Sequence, residues 1–308
     1  MKVIDFRVRP NTTEYMSRYT GSGYALLWRR FGIPEPAPVP LEYFSNEARL
    51  QNIEIGVFTG RNNNRTSLSN HYVRDTAART GGLLFTAYGI DPHSTEREVE
   101  LAAAAADSRN IGIALDPPGD PIASQPLGWD DDTIMFPIYE FAAANKLVAI
   151  LTVGPLVGQF YGDPGPFERI ARTFPDLRLV IAHGCWPRSE ELVATAYRND
   201  NIYLEASIYA FHPGAHVFRD AAGTLISDKV VYGSAFPFQP LDAWKNYVGL
   251  GWPEDAPEGP FRQRTASARI RGRARVSDGP KKTGASPQTG SAGVAIVTGA
   301  GSMLRTVR

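Results

Sequence analysis

The fold of this 308-residue chain is indicated by a segment that reads Leu177-Arg178-Leu179-Val180-Ile181-Ala182-His183-Gly184. It is a short apolar run that ends at a glycine, a pattern typical of a buried strand in a parallel sheet. Seven further runs of β-branched or apolar residues end in the same way, near Gly, Pro, Asp or Asn. The predicted strands therefore cover residues 3–8, 53–59, 83–90, 111–115, 147–153, 177–182, 202–206 and 230–232.

Several segments between these strands are predicted to be helical, namely residues 95–106, 133–145, 165–174, 189–197 and 216–226. Strands that alternate with helices indicate βα units and a parallel sheet. Eight such units in about 250 residues predict a (β/α)8 TIM-like barrel. A doubly wound sheet is the alternative, although it normally has fewer strands. The long insertion at residues 11–51 is predicted to be a lid or a wall of a substrate site.

The charge of the chain sums to zero but is unevenly distributed. The chain has 32 Lys and Arg residues and 32 Asp and Glu residues, yet residues 257–308 carry ten basic residues and only two acidic ones. That basic segment has few large apolar residues and cannot bury enough surface to offset the entropy of ordering it. We therefore predict an acidic barrel at residues 1–256 and a basic, low-complexity, unstructured tail at residues 257–308.

The composition excludes several other classes of protein. With 43% hydrophobic and 21% charged residues the chain is globular in composition. No apolar run approaches the roughly 20 residues of a transmembrane helix, and the first residues lack the apolar centre of a signal peptide. A single cysteine, Cys185, excludes an internal disulfide framework and a multi-cysteine zinc site. We expect a cytoplasmic protein with no membrane partner.

Chemistry in a (β/α)8 barrel is expected at the carboxyl ends of the strands. The residues there are polar, which predicts an active-site rim of Asp5, Arg7, Arg9, Arg61, Asn62, Asp91, Asp116, Thr152, His183, Glu205, Ser207 and Ser234. Strand alternation predicts that Asp5, Arg7 and Arg9 face the lumen. Phe6 and Val8 would then face the helices.

Three segments carry a family resemblance. They are residues 4–9 (Ile-Asp-Phe-Arg-Val-Arg), residues 174–184 (Phe-Pro-Asp-Leu-Arg-Leu-Val-Ile-Ala-His-Gly) and residues 231–238 (Val-Tyr-Gly-Ser-Ala-Phe-Pro-Phe). Together they resemble the amidohydrolase-related family, which belongs to the amidohydrolase superfamily and includes metal-dependent hydrolases and decarboxylases. The resemblance covers residues 1–256. It implies a barrel that hydrolyses or decarboxylates a small molecule.

The resemblance also implies positions for a divalent metal, and most of them carry other residues in this chain. The two first-strand histidines of the family correspond to Arg7 and Arg9. The fifth-strand histidine corresponds to Thr152 and the eighth-strand aspartate to Ala235, whereas His183 is retained. Guanidinium groups are always protonated and repel a cation, so we predict no metal cofactor. A metal bound by His183, Asp5 and aspartates of the following loops is the alternative.

Two arginines at a barrel mouth need something anionic to meet them. We favour a carboxylate or phosphate of the substrate, and the alternative is an internal Arg–Asp cluster that fills an inactive site. The predicted function is hydrolysis or decarboxylation of a small anionic or cyclic metabolite. A catalytically inactive barrel that still binds a ligand is the second reading, and the sequence leaves homo-oligomerisation open.

Roles follow for individual residues. His183 is the predicted acid or base, since its ordinary pKa lies near neutrality, and Asp5 and Glu205 are further predicted catalytic residues. The remaining histidines lack ligand spacing and are interpreted as structural. The predicted substrate-binding residues are Arg7, Arg9, Arg61, Thr152 and Trp186.

The tail contains a motif that resembles the opening of a short-chain dehydrogenase, residues 293–304. Only four residues follow it, so no helix can complete a dinucleotide site and we predict no NAD. The basic stretch at residues 262–275 lacks a folded context, and we predict no nucleic-acid partner. Read one base later, the codons for residues 257–265 can encode a segment resembling the family's closing helix. We therefore hypothesise a frameshift near Pro257.

Overall fold

The computed structural model describes residues 2–19, 22–62, 67–120, 122–226 and 228–248. Eight parallel strands follow one another in chain order around a nearly closed barrel. Backbone N–H groups of Phe6 and Arg9 donate to the carbonyls of Tyr232 and Phe236, which joins the last strand to the first. The predicted TIM-like barrel is confirmed. The strands are β1 (Val3–Val8), β2 (Ile53–Thr59), β3 (Leu84–Gly89), β4 (Asn110–Leu115), β5 (Val148–Thr152), β6 (Arg178–Ala182), β7 (Ile202–Glu205) and β8 (Val230–Val231).

Ten α-helices lie among the described residues. They are α1 (Thr13–Ser17), α2 (Ser22–Phe31), α3 (Leu41–Leu50), α4 (Asn70–Ala78), α5 (Arg97–Ala106), α6 (Phe136–Ala144), α7 (Gly165–Thr173), α8 (Ser189–Arg198), α9 (His216–Thr224) and α10 (Trp244–Val248). All five helices predicted from the sequence are present. The predicted start of α6 is three residues early, because Asp131 Oδ1 accepts the N–H groups of Thr133 and Ile134 in a turn that precedes the helix.

The long insertion after β1 is helical, since it contains α1, α2 and α3. Helix α1 begins at a capping residue, Thr12, whose Oγ1 accepts the N–H of Tyr15 at 3.3 Å. The indole ring of Trp28 in α2 stacks on Phe238 with 4.3 Å between ring centroids, and Phe44 in α3 packs against Phe236. The insertion is therefore held against the segment that follows β8.

The core has an inner and an outer layer. The inner cluster consists of strand residues alone, among them Ile4, Ile55, Val148 and Val180, and it fills the barrel. The outer clusters combine strand and helix residues and lie between the barrel and its helices. This division is what the alternation of side chains along each strand produces in a closed barrel.

Strand β1 departs from simple alternation, which corrects one prediction. The pairing of β1 with β2 shifts register between Asp5 and Val8. Phe6 belongs to the inner cluster together with Ile4 rather than facing the helices. Val8 does face the helices, as predicted. The phase of the alternation therefore changes between Phe6 and Val8, within the span of the register shift.

The domain boundary predicted at residue 256 lies outside the described residues, as do the unstructured tail, the dehydrogenase-like motif and the hypothesised frameshift. These stay predictions. Within the described part of the chain, none of the helices has the length and apolarity that crossing a membrane requires.

One stability prediction follows from Gly89 at the end of β3. A Cβ atom there would lie 2.6 to 2.9 Å from the backbone C, N and Cα atoms of Arg61, which cannot rotate away. We expect Gly89→Ala to lower the free energy of unfolding by about 1–3 kcal/mol, the range for overpacking. Urea unfolding measures this. The control is Gly162→Ala, where a Cβ meets nothing within 4 Å; equal stability of the two variants would contradict the prediction.

Candidate active site

A cavity of about 910 Å³ opens at the carboxyl ends of the strands. Residues at or soon after the ends of all eight strands line it, and the insertion contributes Phe31. Of the residues predicted from the sequence, the cavity lining includes Arg7, Arg9, Arg61, Asn62, Asp91, Asp116, Thr152 and His183. The lining also includes His93, Ile208, Tyr209, Ala235 and Phe238.

Arg7 lies at the bottom of the cavity and is 2% exposed. Its Nη2 donates to Oγ1 of Thr152 at 3.2 Å. Its Nε makes no hydrogen bond and lies 4.0 Å from Oε2 of Glu205. Burial and the neighbouring guanidinium of Arg9 lower the pKa of Arg7 to about 10, and Glu205 opposes that shift. Arg7 is therefore a buried cation with an incomplete set of partners.

Arg9 is 3% exposed and is less well compensated than Arg7. Its Nε donates to the backbone carbonyl of Thr59 at 3.0 Å. Within the described part of the chain Arg9 forms no ion pair and no other side-chain hydrogen bond. The terminal guanidinium nitrogens of Arg9 are therefore available to a ligand in the cavity.

Arg61 differs from the other two arginines because it is already paired. Its Nε and Nη2 donate to the two carboxylate oxygens of Asp116 at 3.1 and 2.6 Å. Its Nη1 donates to the Tyr19 hydroxyl at 3.5 Å. Burial opposes the charge of Arg61, but Asp116 raises its pKa well above the ordinary value. This bidentate pair forms a fixed part of the cavity wall.

The two predicted catalytic carboxylates, Asp5 and Glu205, are buried and do not line the cavity. Oδ1 of Asp5 accepts the backbone N–H groups of Arg7 and Ser234 at 3.0 and 2.9 Å. Burial raises the pKa of Asp5 to about 6, against these hydrogen bonds. Asp5 therefore ties β1 to the residues after β8, beneath the site.

Glu205 at the end of β7 lies against Arg7 and Gly233. Its Oε1 accepts a hydrogen bond from the Ser207 hydroxyl, and its Oε2 has no hydrogen-bond partner among the described residues. A Cβ at position 233 would lie 2.6 Å from Oε1, so only glycine leaves room for the carboxylate. Burial raises the pKa of Glu205 to about 7, although Arg7 lowers it.

His183 is half-buried at the end of β6. Its Nδ1 lies 2.7 Å from the carbonyl oxygen of Val153. Since a carbonyl can only accept, Nδ1 carries the proton and Nε2 carries a lone pair. Burial, reinforced by the charge of Arg7, lowers the pKa of His183 well below 6.5. His183 is thus a neutral imidazole with a defined tautomer.

Aromatic side chains form the other side of the cavity. The Tyr209 ring meets His183 edge to face at 5.3 Å and meets Phe31 at 6.2 Å. Trp186, predicted to bind substrate, does not line the cavity. It stacks behind Tyr209 at 5.2 Å, and its Nε1 donates to the carbonyl of Pro213. Trp186 supports the wall rather than forming its surface.

Three strand ends around the site adopt left-handed backbone conformations at residues other than glycine. The φ angles are 67° at His183, 45° at Ser207 and 56° at Ala235. Such conformations are unfavourable for residues with a Cβ atom and occur often at functional sites. Here they follow the ends of β6, β7 and β8, next to Arg7 and Glu205.

Comparison with known proteins identifies the family. The amidohydrolase family model matches residues 35–260. The chain belongs to the amidohydrolase family. None of the curated proteins matches it by sequence.

Solved structures related to this amidohydrolase include an uncharacterised TIM-barrel protein from Bordetella bronchiseptica, at 27% identity and a TM-score of 0.71. The match covers 89% of this chain and 100% of the Bordetella chain. A probable 2-pyrone-4,6-dicarboxylic acid hydrolase from Acinetobacter baumannii, with citric acid bound, is 11% identical with a TM-score of 0.53, over 81% and 92% of the two chains. A 2,6-dihydroxybenzoate decarboxylase complexed with 2,6-dihydroxybenzoate is 11% identical with a TM-score of 0.52, over 81% and 93%. The last two likenesses show the shared fold.

Amidohydrolases usually bind a metal, and the residues of this site do not fit one. Arg7 and Arg9 line the cavity, and both carry cationic groups. The part of the chain that the structure describes has no group of three or more His, Cys, Asp or Glu side chains able to hold a metal ion. A divalent cation at these positions would meet guanidinium groups instead of neutral or anionic donors.

Sequence reasoning missed some of the lining residues. His93, interpreted as structural, reaches the cavity, and its Nε2 lies 2.6 Å from the carbonyl of Pro118. Tyr209 and Phe31 were not singled out, although both form the aromatic wall. The position of Tyr209, soon after the end of β7, is the one signal that could have indicated it.

The tautomer and charge of His183 are testable by NMR of the imidazole nitrogens. A lowered pKa means that the neutral form persists as the pH falls. At pH of about 5.5, roughly one unit below the ordinary value, we expect His183 to remain neutral with Nδ1 protonated. The His183→Asn variant assigns the signal, since Asn can donate to Val153 and tolerates a left-handed backbone. A His183 signal that is mostly protonated at this pH would contradict the prediction.

Proposed function

We propose that this amidohydrolase binds a small carboxylated metabolite on Arg7 and Arg9 and hydrolyses it with His183 as the general base. The observation that carries the proposal is the state of Arg9. It is a buried side chain that lines the cavity, and its guanidinium meets no carboxylate of the described chain. A buried charge without a partner is costly, and a ligand carboxylate held bidentately would compensate it.

The other arginines support this assignment by contrast. Asp116 neutralises Arg61 and engages two of its nitrogens, so Arg61 shapes the wall and is a weak candidate for a direct anchor. Thr152 holds Nη2 of Arg7 and fixes the guanidinium in place. In the proposal Arg7 and Arg9 therefore contact the anion, Thr152 orients Arg7, and Arg61 shapes the wall.

The aromatic side of the cavity would hold the rest of the substrate. Phe31, Tyr209 and Phe238 offer apolar surface away from the arginines. A carboxylate joined to an apolar or cyclic body matches this division of the cavity. Trp186 would act on the substrate only through Tyr209, on which it stacks.

In the proposed reaction His183 Nε2 accepts a proton from water while the water oxygen bonds to the acyl carbon of the substrate. The bond from that carbon to the leaving group then breaks, and the proton passes from His183 to the leaving group. Part of the lowering of the His183 pKa is due to Arg7. An anion bound on Arg7 offsets that charge, so substrate binding makes His183 a stronger base.

In this proposal Asp5 and Glu205 do not touch the substrate, since both lie beneath the cavity. No step uses a metal, because the residues at the family's ligand positions do not fit one. Decarboxylation is the second candidate reaction, favoured by the placement of two cations where a carboxylate would bind. A barrel that binds the anion without turnover is the third candidate, and a turnover assay separates it from the first two.

Binding of benzoate and succinate, measured by calorimetry, tests the anion site. We expect Arg9→Gln to weaken binding at least tenfold, because losing a charge-assisted hydrogen bond costs about 1.5–3 kcal/mol. Arg7→Gln should have a similar effect. The matched control is Arg172→Gln on the exposed face of α7, which should bind as the wild type does. Equal affinity of Arg9→Gln and the control would exclude the anion site.

Turnover of a panel of carboxylated esters, amides, lactones and aromatic acids tests the chemistry. The assay uses wild-type protein and His183→Asn, with metal content measured on the same samples. Hydrolysis that is lost in His183→Asn but unaffected by chelators supports the proposal. Stoichiometric bound zinc or manganese that activity requires would contradict it.

A further inference from the structure

Glu205 is the buried titratable group that the proposed reaction does not use. Its Oε2 lies 4.0 Å from Nε of Arg7, and Arg7 lines the cavity whereas Glu205 does not. Neither Oε2 nor Nε makes a hydrogen bond among the described residues. The pair is close enough for strong electrostatic coupling in a buried site but lacks the direct hydrogen bond of a complete ion pair.

The surroundings of Glu205 hold its carboxyl group in one place. The Ser207 hydroxyl donates to Oε1, and the Ser207 carbonyl in turn accepts the Tyr247 hydroxyl of α10 at 2.7 Å. On the β8 side Gly233 leaves the space that the carboxyl fills. On the β6 side the paired residue is Ala182, which is apolar. The hydrogen bond from Ser207 and the space left by Gly233 thus hold the Glu205 carboxyl group near Arg7.

The charged and titratable groups around Glu205 are few. Arg7 and, more weakly, Arg9 favour its ionised form, whereas Asp5 disfavours it. The phenols of Tyr232 and Tyr247 are neutral, because burial and then the nearby carboxyl groups raise their pKa values. Whether Glu205 is ionised therefore depends on whether another anion also compensates the positive charge of Arg7.

We propose that Glu205 is a positioning residue for Arg7 and takes up a proton when an anion binds in the cavity. When the site is empty, ionised Glu205 is the carboxylate that compensates the positive charge of Arg7. A bound carboxylate compensates the same guanidinium from above and adds a second negative charge nearby, so the buried Glu205 becomes neutral. The inference rests on the proposed anion site of Arg7 and Arg9, and it adds the coupling of binding to protonation.

The sign of the pH dependence follows from linkage. Burial places the pKa of Glu205 at about 7 in the free protein, and the bound anion raises it. Binding therefore takes up a proton in the pH window between the two pKa values, and lower pH strengthens binding within that window. As the pH is lowered towards 7 within that window, the affinity for the anion should rise by up to about tenfold per pH unit. Below pH 7 the affinity should level off. The positive charge of Arg7 persists across this window.

The experiment is calorimetry with benzoate, whose carboxyl group stays ionised at these pH values. Titrations in two buffers that differ in ionisation enthalpy give the number of protons taken up per benzoate bound. We expect wild-type protein to take up between about half a proton and one proton per benzoate between pH 7 and 8. Glu205→Gln, which keeps the shape and an acceptor for Ser207, should take up none and bind benzoate with an affinity that does not vary with pH.

A second variant and a control keep the result interpretable. Ser207→Ala removes the hydroxyl that stabilises ionised Glu205 and leaves the carbonyl that binds Tyr247, so the pH window should move upward. Glu98→Gln alters an exposed carboxyl of α5 and should match the wild type. Circular dichroism of each variant confirms folding before binding is compared.

The outcomes separate the two proposals. Benzoate binding without proton uptake, or with uptake that persists in Glu205→Gln, overturns the role of Glu205 and leaves the anion site standing. Absence of benzoate binding to the wild-type protein overturns the anion site and this inference with it. Proton uptake that disappears in Glu205→Gln and shifts in Ser207→Ala supports both.

Discussion

Burial of guanidinium groups at the carboxyl end of a barrel is the constraint on which the rest of this site depends. Arg7 and Arg9 are almost fully enclosed, and a charge in that position is tolerated only if polar groups surround it. The neighbouring features supply those groups: Thr152 and Thr59 accept hydrogen bonds, and Glu205 lies below Arg7. Gly233 is small for the same reason, because a side chain there would displace the carboxyl. The compensation is incomplete at Arg9, and it is there that a ligand is needed.

The arginines that line this cavity limit the chemistry that the barrel can perform. A metal attracts the substrate carbonyl and activates water, whereas a guanidinium can only bind an anion or stabilise negative charge. In the proposed reaction activation of water depends on His183, whose tautomer is set by the carbonyl of Val153. Burial, and then the charge of Arg7, lowers the pKa of His183 in the free protein. The proposal therefore links the charge of the substrate to the base strength of His183.

The sequence contained enough to predict the barrel and the identity of its rim, but not the depth of each side chain. Strands are predicted by apolar runs that end at glycine, proline or acidic residues. This pattern does not depend on how the sheet closes. How deeply a side chain is buried in the barrel depends on local irregularities of the strands, and these have no simple sequence signature. The register shift in β1 changes the phase of the strand between Phe6 and Val8, so Phe6 faces inward and Asp5 does not line the cavity, which strict alternation could not indicate. The pairing of Arg61 with Asp116 joins residues 55 positions apart, and only the closed barrel brings them together.

Glu205 is another residue whose role the sequence alone does not determine. Its place at the end of a barrel strand is typical of catalytic carboxylates. Glu205 nevertheless does not line the cavity, whereas Arg7 does and lies 4.0 Å from it, so in the proposal its influence on a substrate passes through that guanidinium. A carboxyl group with a pKa near 7 is sensitive to the occupancy of the arginine above it. The side chain that cannot reach the substrate can still respond to its charge, because the buried pair transmits electrostatic changes with little solvent screening.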